Sequence, residues 1–190
     1  MSPDGSFAIS PRHRIVIYTL GRFEVVLEGA PLRFKGRAPV RALELLSALI
    51  AAGGRGVSVA SLSDSLWPEA DGFDAYRAFT TTLHRLRRLL CCPEAVRLCA
   101  GRLTLDAQLC RVDLWEFERT LRAARDPDAL REALDLYHGP FMGDDPSPWC
   151  ISMRAHLEKQ LAGAKSRFAE SGPRPRGLLG GALEFAAFAT

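Results

Sequence analysis

The sequence predicts an α+β unit over residues 14–112 and an all-α unit over 113–170, on three observations. Short runs of β-branched and aromatic residues cluster near the start and recur once around residue 100. Between them, apolar residues repeat at helical spacing. Beyond residue 113 only the helical repeat persists.

Taken in order, IVIY, RFEVVL and PLRF (within 15–34) read as strands, punctuated by Gly21 and by Glu28-Gly29. Pro39 opens the first helix, VRALELLSALIAA, whose apolar stripe is expected to be Val40, Leu43, Leu46, Leu49 and Ile50. The run GGRG at 53–56 stops it, because glycine takes positive φ at low cost. Ser58 caps a second short helix, VASLSDSLW, which Pro68 and Gly72 end. A third helix is expected over 74–92, with Pro93 as its stop. AVRLCAGRLTLD then places two short apolar runs on either side of Ala100-Gly101, a two-residue hairpin turn. Strands, three helices and a closing hairpin follow the order of a winged helix-turn-helix, whose third helix enters the DNA major groove.

The second unit reads as three amphipathic segments, DLWEFERTLRAA, DALREALDLYH and SPWCISMRAHLEKQLAGAKSRFAE. Pro127 separates the first two, and GPFMGDDPSP separates the last two. The stretch 171–190 mixes Pro and Gly with a weak apolar end and is expected to be a disordered tail.

Charge is unevenly placed along the chain. Residues 1–112 carry 15 Lys+Arg against 10 Asp+Glu, a surplus of five; residues 113–190 carry 10 against 12, a deficit of two, which together make the net +3. Arginine supplies nearly all of the basic character, and its planar fork suits phosphates and guanine edges. The charge gathers most densely in RAFTTTLHRLRR at 77–88. At 100° per residue, Phe79, Leu83, Leu86 and Leu90 share a narrow arc and form the buried stripe. The opposite ridge collects Arg77, Thr81, His84, Arg85 and Arg88, flanked by Thr80 and Arg87.

Threonine and histidine hydrogen-bond base edges, and arginine takes guanine in a bidentate fork or clamps phosphate. The half from Arg77 to His84 is expected to read bases, with Arg85, Arg87 and Arg88 toward phosphates. Arg97 and Arg102, near the hairpin tip, are expected at a neighbouring minor groove or its backbone. Arg33, Lys35, Arg37 and Arg41, around the start of the first helix, fit a solvated surface better than a DNA contact. A solvated basic face also stays open for the third helix, since basic residues near a helix C-terminus favour its macrodipole.

Three stretches resemble the OmpR-type winged helix of bacterial transcriptional activators of the SARP and MalT-like ATPase groups: LGRFEVVLEGAPLRF, RALELLSALIAAGGRGVSVASLSDSLWPEADG and AFTTTLHRLRRLL. VDLWEFERTL and ALDLYHGPFMGDDPSPW are similar to the bacterial transcriptional activator domain (BTAD), a helical module related to tetratricopeptide repeats. The resemblance covers roughly 14–170. It implies a sequence-specific regulator that binds double-stranded promoter DNA at repeated sites, with a recognition helix over 76–90 and a wing over 96–105. It also implies RNA polymerase or an ATPase regulatory chain as protein partners, and a homodimer on DNA. A full BTAD carries more helical repeats than the three here, so the second unit is expected to be a partial one. No GxxxxGK[ST] occurs, so an ATPase function would have to come from another chain.

Other chemistry finds little support. His13, His84, His138 and His156 are dispersed, with no HExxH, and neither GxSxG nor GxGxxG is present. Asp135 with Asp144-Asp145 lacks EF-hand spacing and reads as a solvated loop. No catalytic residues, metal ligands or cofactor are therefore expected. Five cysteines without a CxxC pair suit a reducing compartment. No apolar signal core opens the chain and no apolar run reaches the roughly 20 residues that span a bilayer, so a cytoplasmic, nucleoid-associated protein is expected. Trp67, Trp115 and Trp149 are expected in packing roles. The alternative from another functional class is a protein-interaction module, with the apolar 134–151 region as a docking surface and little DNA binding.

Overall fold

The computed structural model describes residues 13–34 and 36–170. The expectations for the chain start, Lys35 and the 171–190 tail lie outside these residues.

A four-stranded sheet forms first, in the order β3-β2-β1-β7. Strands β1 (Ile15–Tyr18) and β2 (Glu24–Leu27) pair antiparallel, with Ile15 opposite Leu27 and Tyr18 opposite Glu24. Strand β3 is only Ala30–Pro31; Leu32, still bonded through its N–H to Val25 O at 2.8 Å, and then Arg33 and Phe34, expected in the strand, lie beyond its end. The fourth strand, β7 (Cys110–Val112), comes from beyond the hairpin and pairs parallel with β1, Ile15 opposite Cys110. Three residues carry too short a pattern to be read as a strand from sequence, and β7 is a product of the tertiary fold.

Helix α1 (Val40–Ala51) lies at the centre. Its buried residues are Ala42, Leu45, Leu46, Ser47, Ala48, Leu49 and Ile50, a wider surface than the expected stripe. Val40 is 50% exposed and Leu43 only partly buried, correcting that reading at its N-terminal end. The wider burial follows from α2 (Val59–Leu66), α3 (Gly72–Leu89) and α6 (Pro148–Glu170) all packing on α1, since a helix covered on several sides buries residues all round. Val40 and Leu43 lie in its first turn, ahead of the run from Leu45 to Ile50 that is buried throughout.

Ser58 caps α2, its hydroxyl accepting from the Ser61 N–H at 3.4 Å. Asp71 caps α3 in the same way from Asp74 N–H at 2.9 Å, so this helix begins before the expected residue 74. It ends at Leu89, ahead of the Pro93 stop, where Cys91 turns left-handed at φ 51°. Strands β5 (Val96–Cys99) and β6 (Arg102–Leu105) form the expected hairpin. Ala100 at φ 47° and Gly101 at φ 71° turn it, the two positive values of a type I′ turn. A two-residue strand, β4 (Val57–Ser58), joins the other edge of β6.

Helices α4 (Asp113–Ala123) and α6 fall where the helical repeat predicts them. Helix α5 (Pro127–Asp135) takes the separating Pro127 as its first residue under an Asp126 cap and ends before Leu136 to His138, which were expected in it. The two sequence units share one hydrophobic core, which runs from Ile15 through Leu45, Phe79, Leu103 and Phe117 to Leu157 and Ala164. Asp113 knits their junction. Its carboxylate accepts from Thr19 N–H and Oγ1–H, at 2.8 and 2.7 Å, and from Leu20 N–H at 3.0 Å. Trp149 donates its indole N–H to Ser47 Oγ at 3.0 Å, tying α6 to α1. The Trp115 ring lies against Gly54, where a Cβ would meet it at 2.2 Å.

Candidate nucleic-acid interface

Helix α3 is amphipathic in the phase its sequence predicts. Phe79, Leu83, Leu86 and Leu90 are buried at 3% exposure or less. Arg77, Thr80, Thr81, His84, Arg85 and Arg88 are exposed on the other face. Among the described residues, the side chains of Thr81, His84, Arg85 and Arg88 make no ion pair or hydrogen bond within the protein. Arg77 stands 3.9 Å from Asp74 and 5.9 Å over the Phe73 ring, a loose surface contact of little energetic consequence. Thr80 donates its hydroxyl to Tyr76 O at 2.9 Å, which leaves its lone pairs and methyl facing outward.

Arg87 is different. Placed at the edge of the ridge, it turns toward the hairpin, and its Nε and Nη2 donate to Val96 O at 2.9 and 2.8 Å. The expected phosphate-facing residue is therefore a strut between α3 and β5. The hairpin arginines are also engaged. Arg97 meets Asp106 at 3.3 Å, and Arg102 Nη1 donates to Gly56 O at 2.8 Å. Strand alternation puts both on one face of the hairpin with Thr104, while Val96, Leu103 and Leu105 fill the core side.

Two side chains were overlooked. Phe73 and Tyr76, in the first turns of α3, are 72% and 55% exposed. Tyr76 already lay within the expected helix, and the Asp71 cap, three residues ahead of Asp74, is the signal that would have brought Phe73 into it. Near α1, Arg41 bonds Glu44 at 3.0 Å, while Arg33 and Arg37 are exposed.

The remaining candidates settle into structure. Arg154 donates to Phe141 O, Gly143 O and Asp145 O at 3.1, 2.6 and 2.7 Å, so a guanidinium holds the loop that carries Asp144 and Asp145. No group of three or more potential metal ligands comes together among the described residues. Within the 134–151 region Phe141 is fully buried, Tyr137 and Trp149 are partly buried with Trp149 packed on α1, and Ile151 is 54% exposed. All five cysteines are free, with Cys91 and Cys99 exposed. Burial pushes the Cys110 and Cys150 thiols up to about 12. No helix among the described residues is long and apolar enough to cross a membrane.

The architecture, N-terminal strands followed by helices, is consistent with a winged helix joined to a helical unit. Residues 112–174 match the family described as bacterial transcriptional activator domain. The chain is also similar to a solved structure, Mycobacterium tuberculosis EmbR in complex with a low affinity phosphopeptide. That likeness has a TM-score of 0.61 at 22% sequence identity and covers 83% of this chain and 45% of that one. At this identity it establishes the fold, and this chain spans less than half of that protein's length. Among curated proteins no sequence matches.

Proposed function

We propose that the protein is a sequence-specific, DNA-binding transcriptional regulator of the SARP kind, with an OmpR-type winged helix. In this reading α3 enters the major groove, and the β5–β6 hairpin is the wing, lying on the minor groove or the adjacent backbone. The helical half serves dimerisation or coupling to RNA polymerase. The observation that carries the reading is the ridge Arg77, Thr81, His84, Arg85 and Arg88: exposed, basic, and without firm partners inside the protein. From Arg77 to Arg88 it extends about 16 Å at 1.5 Å per residue, enough to follow several base pairs along a groove. The match of 112–174 to a transcriptional activator domain family supports the same reading.

The division of labour follows from chemistry. Thr81 and His84 offer hydrogen bonds and a methyl group to base edges, and Arg77 offers a bidentate fork to guanine. Arg85 and Arg88 supply charge to phosphates, each neutralised phosphate steepening the salt dependence by about 0.9 in log–log slope. Selection of bound sites from random duplexes, followed by anisotropy titration at several salt concentrations, tests the proposal. A recovered motif whose affinity falls steeply with salt is expected; an unenriched pool with no salt-sensitive binding overturns it.

A further inference from the structure

A cleft of about 530 Å³ lies where the two halves meet, within the size range of small-molecule sites. Its walls are the turn Gly53–Arg55, strand β7 and helix α4, with His13 at the rim of β1. Its charges do not balance. Arg111 is matched by Glu116 through two bonds of 2.7 Å, and Arg122 stands 3.8 Å from Glu118. Arg55 and Arg119 line the same cleft, are exposed, and form no ion pair or side-chain hydrogen bond among the described residues. The cleft therefore holds two uncompensated guanidinium groups beside an apolar wall of Ala107, Val112 and Trp115. Cys110, in the same wall, offers no compensating negative charge, because burial keeps it a thiol.

A second observation points to the same place. Among the described residues, three buried side-chain polar atoms lack a hydrogen-bond partner, and two of them, His13 Nδ1 and Trp115 Nε1, belong to residues that line this cleft. A buried polar atom left unpaired costs its full desolvation, so the packing beside this cleft is incompletely satisfied.

We propose that this cleft binds a small ligand carrying a phosphate or carboxylate group, held by Arg55 and Arg119 against the Trp115 ring. The site spans the junction of the halves, and its turn is bonded to the hairpin. Leu105 N–H donates to Gly54 O at 2.7 Å, Gly56 N–H to Thr104 Oγ1 at 2.9 Å, and Arg102 to Gly56 O at 2.8 Å. An occupant that draws Arg55 inward pulls on the segment that fixes the hairpin.

The test uses the whole chain, ¹⁵N-labelled, with no DNA present, so its result is separate from that of the DNA-binding reading. The indole N–H signal of Trp115, assigned with Trp115→Phe, is followed during titration with sodium pyrophosphate or sodium succinate against sodium chloride at equal ionic strength. A saturable movement of that signal beyond the chloride control is expected, at least tenfold weaker in apparent affinity in the Arg55→Ala, Arg119→Ala variant. A response to pyrophosphate alone identifies a phosphate ligand, and a response to succinate alone a carboxylate. The spectrum of the double variant should otherwise overlay the parent, since both arginines are exposed. No movement beyond the chloride control, or movement undiminished in the double variant, overturns the proposal.

Discussion

Helix α3 and the β5–β6 hairpin carry the same residue type to opposite ends. Arg85 and Arg88 on the helix project outward without protein partners, whereas Arg97 and Arg102 on the hairpin bond Asp106 and Gly56 O. Arg87 belongs to the helix by sequence and to the hairpin by contact, since its guanidinium closes on Val96 O. Arginine therefore has two roles here: committed inside the protein it fixes geometry, and uncommitted it is available to an anion.

The largest test of this division lies at the platform beneath both elements. Asp113→Ala strands the Thr19 and Leu20 donors at the junction, and a loss of about 3 kcal/mol in unfolding free energy is expected, several hydrogen bonds to a charged acceptor being removed at once. Urea denaturation measures it. A change below about 0.5 kcal/mol, the range of ordinary surface substitutions, would show that the helical half is not fastened there.

Arg87→Ala and Arg88→Ala separate the two roles on neighbouring residues. The first should cost about 1–3 kcal/mol of stability, because Val96 O loses a charged donor. The second should leave stability within about 0.5 kcal/mol and lower the salt slope of DNA binding by about one unit. Identical outcomes for the pair would dissolve the distinction. Within the outward set, His84→Ala or Arg77→Ala should relax sequence preference by about 1–3 kcal/mol at one position of the selected site. Uniform weakening on every sequence would move these residues to the backbone-contacting group.

The smallest effect concerns the thiols. Iodoacetamide at pH 8 should label Cys91 and Cys99 on the folded protein and spare Cys92, Cys110 and Cys150, as peptide mapping would show. Burial raises Cys110 and Cys150 from the ordinary 9.0 to about 12, so the folded chain keeps protons that the unfolded chain releases. Their contribution is complete below pH 9 and is lost as pH rises from there toward 12. Stability that instead increases over that window would contradict their burial.

Local signals in the sequence were sufficient for much of this. The split of α3 into buried and exposed faces, the Ala100-Gly101 turn and the Ser58 cap all rest on neighbours within a few residues or on plain periodicity. What escaped depended on distance. Strands β4 and β7 are two and three residues long and exist because a partner strand lies beside them. The diversion of Arg87 requires Val96 to be folded back against α3, and the role of Asp113 requires the end of β1. Val40 fits an apolar stripe by spacing alone, but as the first residue of α1 it stands ahead of the stretch that the other helices cover.

The parallel pairing of β1 with β7 has a consequence for the growing chain. Residues 15–18 leave the ribosome about 95 positions ahead of their partner at 110–112, as the pairing of Ile15 with Cys110 requires. Throughout that interval one edge of β1 is an open template for strand addition. Contacts this far apart in sequence also form slowly, because a long loop must close before they repay its entropy. Strand β1 is thus completed only after the helices and hairpin between it and β7 have been synthesised, and a chain interrupted before residue 110 would carry an exposed edge prone to pairing with its neighbours.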